Sequence, residues 1–136
     1  MKPVHVWIVE DNAPDAFLMS LALRKTNLPL EFTTMMDGEH AMLNIASCNG
    51  GHLPEPVLVL LDLHLPRISG AEVLKAVIES PSVSKARLAL FSSLPTLHDG
   101  IKLRPSDRYI RKSPHLNEFL GEIVNWVMES APDGHR

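Results

Sequence analysis

The sequence has little of what marks a secreted, membrane-bound or nucleic-acid-binding protein. It has one cysteine, Cys48, so an internal disulfide is excluded and a reducing compartment is expected. Its longest apolar run, residues 57–61, is far shorter than a membrane span, and Glu10 and Asp11 interrupt the apolar start, unlike a secretory signal. Thirteen basic and 16 acidic residues give a net charge of −3 without a basic stripe. We therefore expect a single globular domain that is soluble and cytoplasmic.

The apolar pattern alternates between strand-like and helix-like segments along the chain. Short β-rich runs predict strands at residues 4–9, 30–35, 57–61, 88–91 and 108–111. Helical spacing predicts helices at residues 13–26, 39–46, 73–78 and 116–127, with a weak short one at 96–102. Five successive strand–helix units predict an α/β fold with a doubly wound parallel sheet in the order 2-1-3-4-5.

Three carboxylates follow two of the predicted strands. Strand 1 runs into Glu10 and Asp11, and strand 3 runs into Asp62. Strands 1 and 3 are neighbours in the predicted order, so these side chains converge at the carboxyl edge of the sheet, where ligands bind in such folds. For one such carboxylate alone, a role as a helix cap or a solvated loop residue is as good an interpretation as a role in a binding site. Three together need a cation to neutralise them, and oxygen ligands with room for water suit Mg²⁺.

A hydroxyl and an ammonium group are predicted at the same edge. Ser92 follows strand 4 and Lys112 follows strand 5. Alone, Ser92 is better interpreted as a helix cap and Lys112 as a surface charge. Beside a carboxylate–metal cluster they indicate an anion at the centre, and a phosphoryl group carried by an aspartate fits. Metal and lysine would offset the charge on the transferring oxygens.

The chain resembles the receiver domain of two-component response regulators over nearly its whole length. Five segments in the expected order carry the resemblance: residues 9–12 (Val-Glu-Asp-Asn), 37–41 (Asp-Gly-Glu-His-Ala), 61–66 (Leu-Asp-Leu-His-Leu-Pro) with Gly70, 91–93 (Phe-Ser-Ser) and 109–112 (Tyr-Ile-Arg-Lys). The resemblance implies that Asp62 is the phosphoacceptor. It also implies that Glu10, Asp11, Asp62 and the backbone carbonyl of His64 hold Mg²⁺.

The resemblance also implies a switch. Ser92 would be the switch hydroxyl, Tyr109 the switch aromatic, and Lys112 the lysine that contacts the phosphoryl group. In the family the hydroxyl moves toward the phosphoryl group, the aromatic turns inward, and the face of helix 4, strand 5 and helix 5 repacks. Such a protein is no enzyme, but a phosphoacceptor that assists its own phosphorylation and dephosphorylation. Its expected partner is a sensor histidine kinase or a phosphotransfer protein.

A finer resemblance is to single-domain receivers that partner phytochrome-type histidine kinases. It depends on the long loop before strand 3, the Leu-Asp-Leu-His-Leu-Pro string, and Ser113 between Lys112 and Pro114. Ser113 excludes the cis Lys-Pro bond that is usual in the family, because a cis bond is costly before any other residue. His64 replaces a residue that is commonly small or polar, so its side chain is expected to alter water access to the phosphoryl group.

The segment between strands 4 and 5 is short for the family. It contains three residues that disfavour a helix, Pro95, Gly100 and Pro105. We therefore expect a shortened helix 4, which would leave apolar surface exposed on the final helix. Trp126 lies at the edge of the apolar stripe of that helix, next to Phe119; core packing is its favoured role and partner contact the alternative. We expect a two-fold homodimer through strand 5 and helix 5.

The favoured interpretation is a stand-alone receiver over residues 1–130, with a frayed tail at residues 131–136. Phosphorylation of Asp62 by a histidine kinase would switch its interactions with other proteins. The alternative is a pseudo-receiver, an interaction module on the same fold that is never phosphorylated. A flavodoxin-like protein that binds flavin mononucleotide is disfavoured, because Glu10 and Asp11 would repel its phosphate.

Overall fold

Five parallel strands form one sheet in the order β2-β1-β3-β4-β5 in a computed structural model that describes residues 3–97 and 100–131. The strands are β1 (Val4–Val9), β2 (Leu30–Met35), β3 (Leu58–Asp62), β4 (Arg87–Ser92) and β5 (Arg108–Arg111). The helices in the described residues are α1 (Ala13–Arg24), α2 (Gly38–Asn49), α3 (Gly70–Glu79) and α4 (Leu116–Ser130). The predicted fold class and strand order are confirmed.

Two of these helices cover each face of the sheet. Successive side chains of a strand point to opposite faces, so the apolar strands place side chains on both faces that must be buried. Ile8 and Leu60 belong to the cluster that α1 and α4 cover. Val9 and Leu61 belong to the cluster under α2 and α3. The central strand β3 is buried along its entire length, so its last residue emerges from the core at the carboxyl edge.

Three helices are longer than the sequence predicts, and one of them, α3, spans Gly70–Glu79 where residues 73–78 are predicted. Helix α2 runs to Asn49, three residues past its predicted end, because the buried positions Ala41, Ile45 and Cys48 continue the helical spacing. Helix α4 likewise extends to Ser130. Side-chain caps begin helices α1 and α2: Asn12 accepts from the backbone N–H of Asp15 at the start of α1, and Asp37 accepts from that of His40 at the start of α2.

The connection from β4 to β5 has no helix among its described residues, 93–97 and 100–107. The short helix predicted at residues 96–102 includes positions 98 and 99, which lie outside the described residues. The expectation of a shortened helix at this place is confirmed. The connection is held by Arg104, which pairs with Asp107 at 2.9 Å and donates to the carbonyls of Ser84 and Ala86 before β4.

The final helix does not present Trp126 to solvent. Trp126 is only 2% exposed and Phe119 is fully buried, with the Phe119 ring centroid 5.3 Å from that of Phe91. Core packing, the favoured of the two roles predicted for Trp126, is therefore what the structure shows, and neither side chain is available to a partner. The helical stripe is simply wide enough to take both side chains into the core.

In the described part of the chain no helix combines the length and the apolar character that crossing a membrane requires. Of the predicted tail, residues 132–136 lie outside the described residues.

Candidate functional site

Three carboxylates meet at the carboxyl edge of β1 and β3. Glu10 follows β1 and is fully buried, Asp62 ends β3 and is 5% exposed, and Asp11 is exposed. One oxygen from each side chain lies within 4.8 Å of the other two. The backbone N–H of Glu10 donates to the carbonyl of Met35 at 2.9 Å, which fixes the start of the loop after β1. Such a group of oxygens can hold a hard divalent cation.

The chemistry of Glu10 supports a cation at this place. Its Oε1 accepts a hydrogen bond from Lys112, whereas its buried Oε2 has no partner among the described residues. A buried carboxylate oxygen without a partner is costly, and a cation would satisfy it. Burial and the neighbouring Asp62 carboxylate raise the pKa of Glu10 to about 9, although Lys112 lowers it. The residues present therefore fit a bound divalent metal.

Asp62 is oriented by the loop that follows it. The backbone N–H of His64 donates to Asp62 Oδ1 at 2.8 Å. Gly70 begins α3 so close to this loop that an added Cβ would lie 2.5 Å from the Asp62 carbonyl oxygen and 2.4 Å from the Cα of Leu63. Only glycine permits this approach. The His64 side chain is exposed and, with Ser92, lines a cavity of about 230 Å³.

The two predicted switch residues, Ser92 and Tyr109, form a hydroxyl pair, in which their side-chain hydroxyl groups are hydrogen-bonded to each other. Ser92 ends β4 and is 3% exposed, and its Oγ lies 2.7 Å from the hydroxyl oxygen of Tyr109 on β5. Ser92 Oγ also accepts from the backbone N–H of Leu94 at 3.2 Å, and the Tyr109 hydroxyl donates to the carbonyl of Leu94. Within the described residues, the hydrogen bonds of the Ser92 hydroxyl lead to Tyr109 and Leu94 and none leads to Asp62.

Lys112 enters the site from the end of β5. Its Nζ lies 2.5 Å from Glu10 Oε1 and 2.7 Å from Asp15 Oδ2, and 5.8 Å from the centroid of the Phe91 ring. Burial lowers the pKa of Lys112, but the hydrogen bonds to Asp15 and Glu10 outweigh it, so the pKa is raised. The structure thus brings Lys112 to the carboxylates, although no hydrogen bond in the described residues joins it to Asp62.

The residue that sequence reasoning missed is Asp15. Asp15 lies in the first turn of α1, where an acidic side chain interacts favourably with the helix dipole. This local role accounts for an aspartate at that position, so the sequence gives little reason to look for a second one. The one available signal was its place four residues after Asp11, at the start of the helix that leaves the acidic edge.

Comparisons with known proteins identify the family. No family model matches the chain. The chain is 33% identical over 120 residues to the probable methanogenesis regulatory protein FilR2 of Methanothrix harundinacea, covering 87% of this chain and 71% of that protein. It is 28% identical over 92 residues to response regulator Rcp1 of Synechocystis, covering 67% of this chain and 63% of that protein.

Solved structures agree with the sequence relatives. The phosphorylated cyanobacterial phytochrome response regulator RcpA superposes with a TM-score of 0.80 at 25% identity, over 97% of this chain and 96% of that one. The Mn²⁺-bound form of Rcp1 has a TM-score of 0.79 at 23% identity, over 93% of each chain, and shows the same fold. The predicted likeness to phytochrome-associated receivers is confirmed. The chain therefore belongs to the response regulators of two-component signalling, as a receiver domain.

Proposed function

We propose that this receiver accepts a phosphoryl group on Asp62 from a histidine kinase or a phosphotransfer protein and thereby switches its contacts with other proteins. One observation carries the proposal: Asp62 lies with Glu10 and Asp11 in one oxygen cluster, in which a buried Glu10 oxygen has no hydrogen-bond partner among the residues that the structure describes. A metal bound there would lie directly beside the proposed acceptor.

The chemistry is transfer of the phosphoryl group to a carboxylate oxygen. An oxygen of Asp62 attacks the phosphorus of the donor, a P–O bond forms, and the bond from phosphorus to the donor breaks. Glu10, Asp11, Asp62 and the backbone carbonyl of His64 would hold Mg²⁺, which supplies positive charge against the phosphoryl oxygens. Lys112 donates to one of those oxygens. In dephosphorylation a water molecule attacks the phosphorus, and the bond from phosphorus to Asp62 breaks, which releases phosphate and restores Asp62.

The switch begins at the hydroxyl pair. To donate to a phosphoryl oxygen on Asp62, Ser92 must give up its 2.7 Å contact with Tyr109. Tyr109 then loses one of the two groups, Ser92 and Leu94, that hold its hydroxyl. The change therefore reaches β5 and the segment after β4.

The partners are proposed by likeness and by position in the fold. RcpA is a phytochrome response regulator, and this supports a phytochrome-type kinase as the donor. The homodimer through β5 and α4 stays a prediction: β5 is an edge strand of the sheet. Light scattering at micromolar concentration, with and without the phosphoryl group, measures it. A strictly monomeric protein would refute the dimer.

The decisive experiment is intact-mass measurement after incubation with acetyl phosphate and Mg²⁺. We expect the wild-type chain to gain one phosphoryl group and Asp62→Asn to gain none. Asp37→Asn is the matched control, because it makes the same substitution at a helix cap where asparagine serves as well as aspartate. A chelator should suppress the reaction strongly. A wild-type chain that gains no mass would favour the pseudo-receiver alternative.

His64 offers a second test of the same site. Its side chain is exposed beside the Ser92 cavity, where it can affect the access of water to the phosphoryl group. We expect His64→Asn to change the lifetime of the phosphorylated form and to leave the Mg²⁺ affinity nearly intact, since only the backbone carbonyl would bind the metal. Equal lifetimes would show that the imidazole has no part in the reaction.

A further inference from the structure

The Lys112 ammonium is shared between two carboxylates with different duties. Glu10 Oε1 lies 2.5 Å from Nζ, but Glu10 also belongs to the oxygen cluster that fits a metal. Asp15 Oδ2 lies 2.7 Å from Nζ and is not part of that cluster. Asp15 is therefore the partner that can hold Lys112 whether or not Glu10 binds a metal.

The number of donors limits what Lys112 can still do. An ammonium group has three N–H donors. Two are used by Glu10 and Asp15, and these are its hydrogen-bond partners among the described residues. The face of the Phe91 ring lies 5.8 Å from Nζ and offers no strong acceptor. One N–H thus stays available for an incoming oxygen.

Asp15 is itself held in place. It lies in the first turn of α1, and its backbone N–H donates to the side chain of the helix cap, Asn12, at 3.0 Å. This hydrogen bond fixes the main chain of Asp15 while its carboxylate faces Lys112. The side chains of Asp15 and Lys112 are 24% and 21% exposed. Ion pairs that solvent reaches contribute little to stability, so fold stabilisation alone is a weak reason for this contact.

We propose that Asp15 is a positioning residue, which anchors the Lys112 ammonium so that its remaining N–H meets a phosphoryl oxygen on Asp62. This inference rests on the proposed function. Without Asp15, the long lysine side chain keeps a single anchor, Glu10, and samples more orientations. Transfer then slows because the group that meets the developing charge is no longer held in place.

The test compares phosphorylation rates with acetyl phosphate at saturating Mg²⁺. We expect Asp15→Ala to slow phosphorylation by about tenfold, and the Mg²⁺ concentration for half-maximal rate to change by less than about twofold, since Asp15 is not in the metal cluster. Asp15→Asn keeps an acceptor oxygen without the charge and should fall between wild type and Asp15→Ala. Circular dichroism checks that both variants fold.

Glu39→Gln is the matched control. Glu39 also lies in the first turn of a helix, α2, and its ion pair with Arg67 is solvent-exposed. Removing this charge should leave the rate within about twofold of wild type, because long-range effects of exposed charges are screened. If it slows the reaction as much as Asp15→Asn does, loss of charge explains both and the proposal is wrong.

A spectroscopic measurement follows the contact without phosphorylation. The ¹⁵N resonance of the Lys112 ammonium, assigned by its loss in Lys112→Arg, should be visible in the wild-type chain and in Glu39→Gln. In Asp15→Ala it should broaden or disappear as exchange with water becomes faster. A resonance that Asp15→Ala leaves unchanged would show that Asp15 does not hold Lys112.

The outcomes separate this inference from the function beneath it. A wild-type chain that gains no phosphoryl group refutes the proposed function, whatever Asp15 does. A wild-type chain that is phosphorylated, beside an Asp15→Ala chain that reacts equally fast, refutes the positioning role alone. The role is also refuted if Asp15→Ala reacts faster, since Asp15 would then compete with the phosphoryl group for Lys112. A change confined to Mg²⁺ half-saturation would likewise refute it.

Discussion

Arg104→Ala should destabilise the domain far more than the loss of an ordinary surface ion pair. Arg104 lies in the connection between β4 and β5, which has no helix among its described residues. It pairs with Asp107, whose side chain is fully buried, and donates to the carbonyls of Ser84 and Ala86. Truncation leaves the Asp107 carboxylate buried, and within the described part of the chain its remaining hydrogen-bond donor is the backbone N–H of residue 104, at 2.9 Å.

The size of the effect follows from that burial. Removing one partner of a buried ion pair costs about 3–5 kcal/mol, because the other charge stays uncompensated. A domain of this length has an unfolding entropy of about 0.3 kcal/mol/K, so the melting temperature should fall by roughly 10–17 °C. Asp107→Asn keeps an acceptor oxygen and should cost less. Thermal and urea unfolding followed by circular dichroism measure both.

Arg108→Ala is the internal control. Arg108 pairs with Glu129 at 3.2 Å, and the side chains are 51% and 61% exposed. Such exposed pairs contribute about 0.2–1 kcal/mol. If Arg104→Ala lowers the melting temperature no more than Arg108→Ala does, then Arg104 does not hold the connection between β4 and β5.

Three further predictions concern packing and reactivity. Gly70→Ala should cost at least about 1–3 kcal/mol in urea unfolding, because its Cβ would lie 2.4 Å from the Leu63 Cα and the main chain must shift; an unchanged midpoint would contradict this. Trp126→Ala should cost about 3–5 kcal/mol through the cavity it leaves, and a loss below about 1 kcal/mol would contradict the burial of the ring. Burial, and secondarily Glu55, raise the pKa of the Cys48 thiol, so less reactive thiolate is present at a given pH. Iodoacetamide at pH 8 should therefore modify Cys48 much more slowly in the native protein than in the urea-unfolded one, and equal rates would show that the Cys48 thiol is not buried.

The sequence alone determined the strand order and the candidate acidic cluster. Both depend on local patterns: alternating strand and helix signals predict the doubly wound sheet, and that sheet places the ends of β1 and β3 side by side. Glu10, Asp11 and Asp62 follow directly from this, because each adjoins the end of a buried strand. Chain direction and strand order are enough to bring such residues to one edge.

Only the tertiary structure decided which side chains meet within that edge and around it. Lys112 contacts Asp15, 97 positions earlier in the chain, and Ser92 pairs with Tyr109 across neighbouring strands. Trp126 turned out to be core, since the width of a buried helical stripe depends on what packs against it. Periodicity along the chain sets the face on which a side chain lies, whereas hydrogen-bond partners depend on distances between elements that local patterns do not encode.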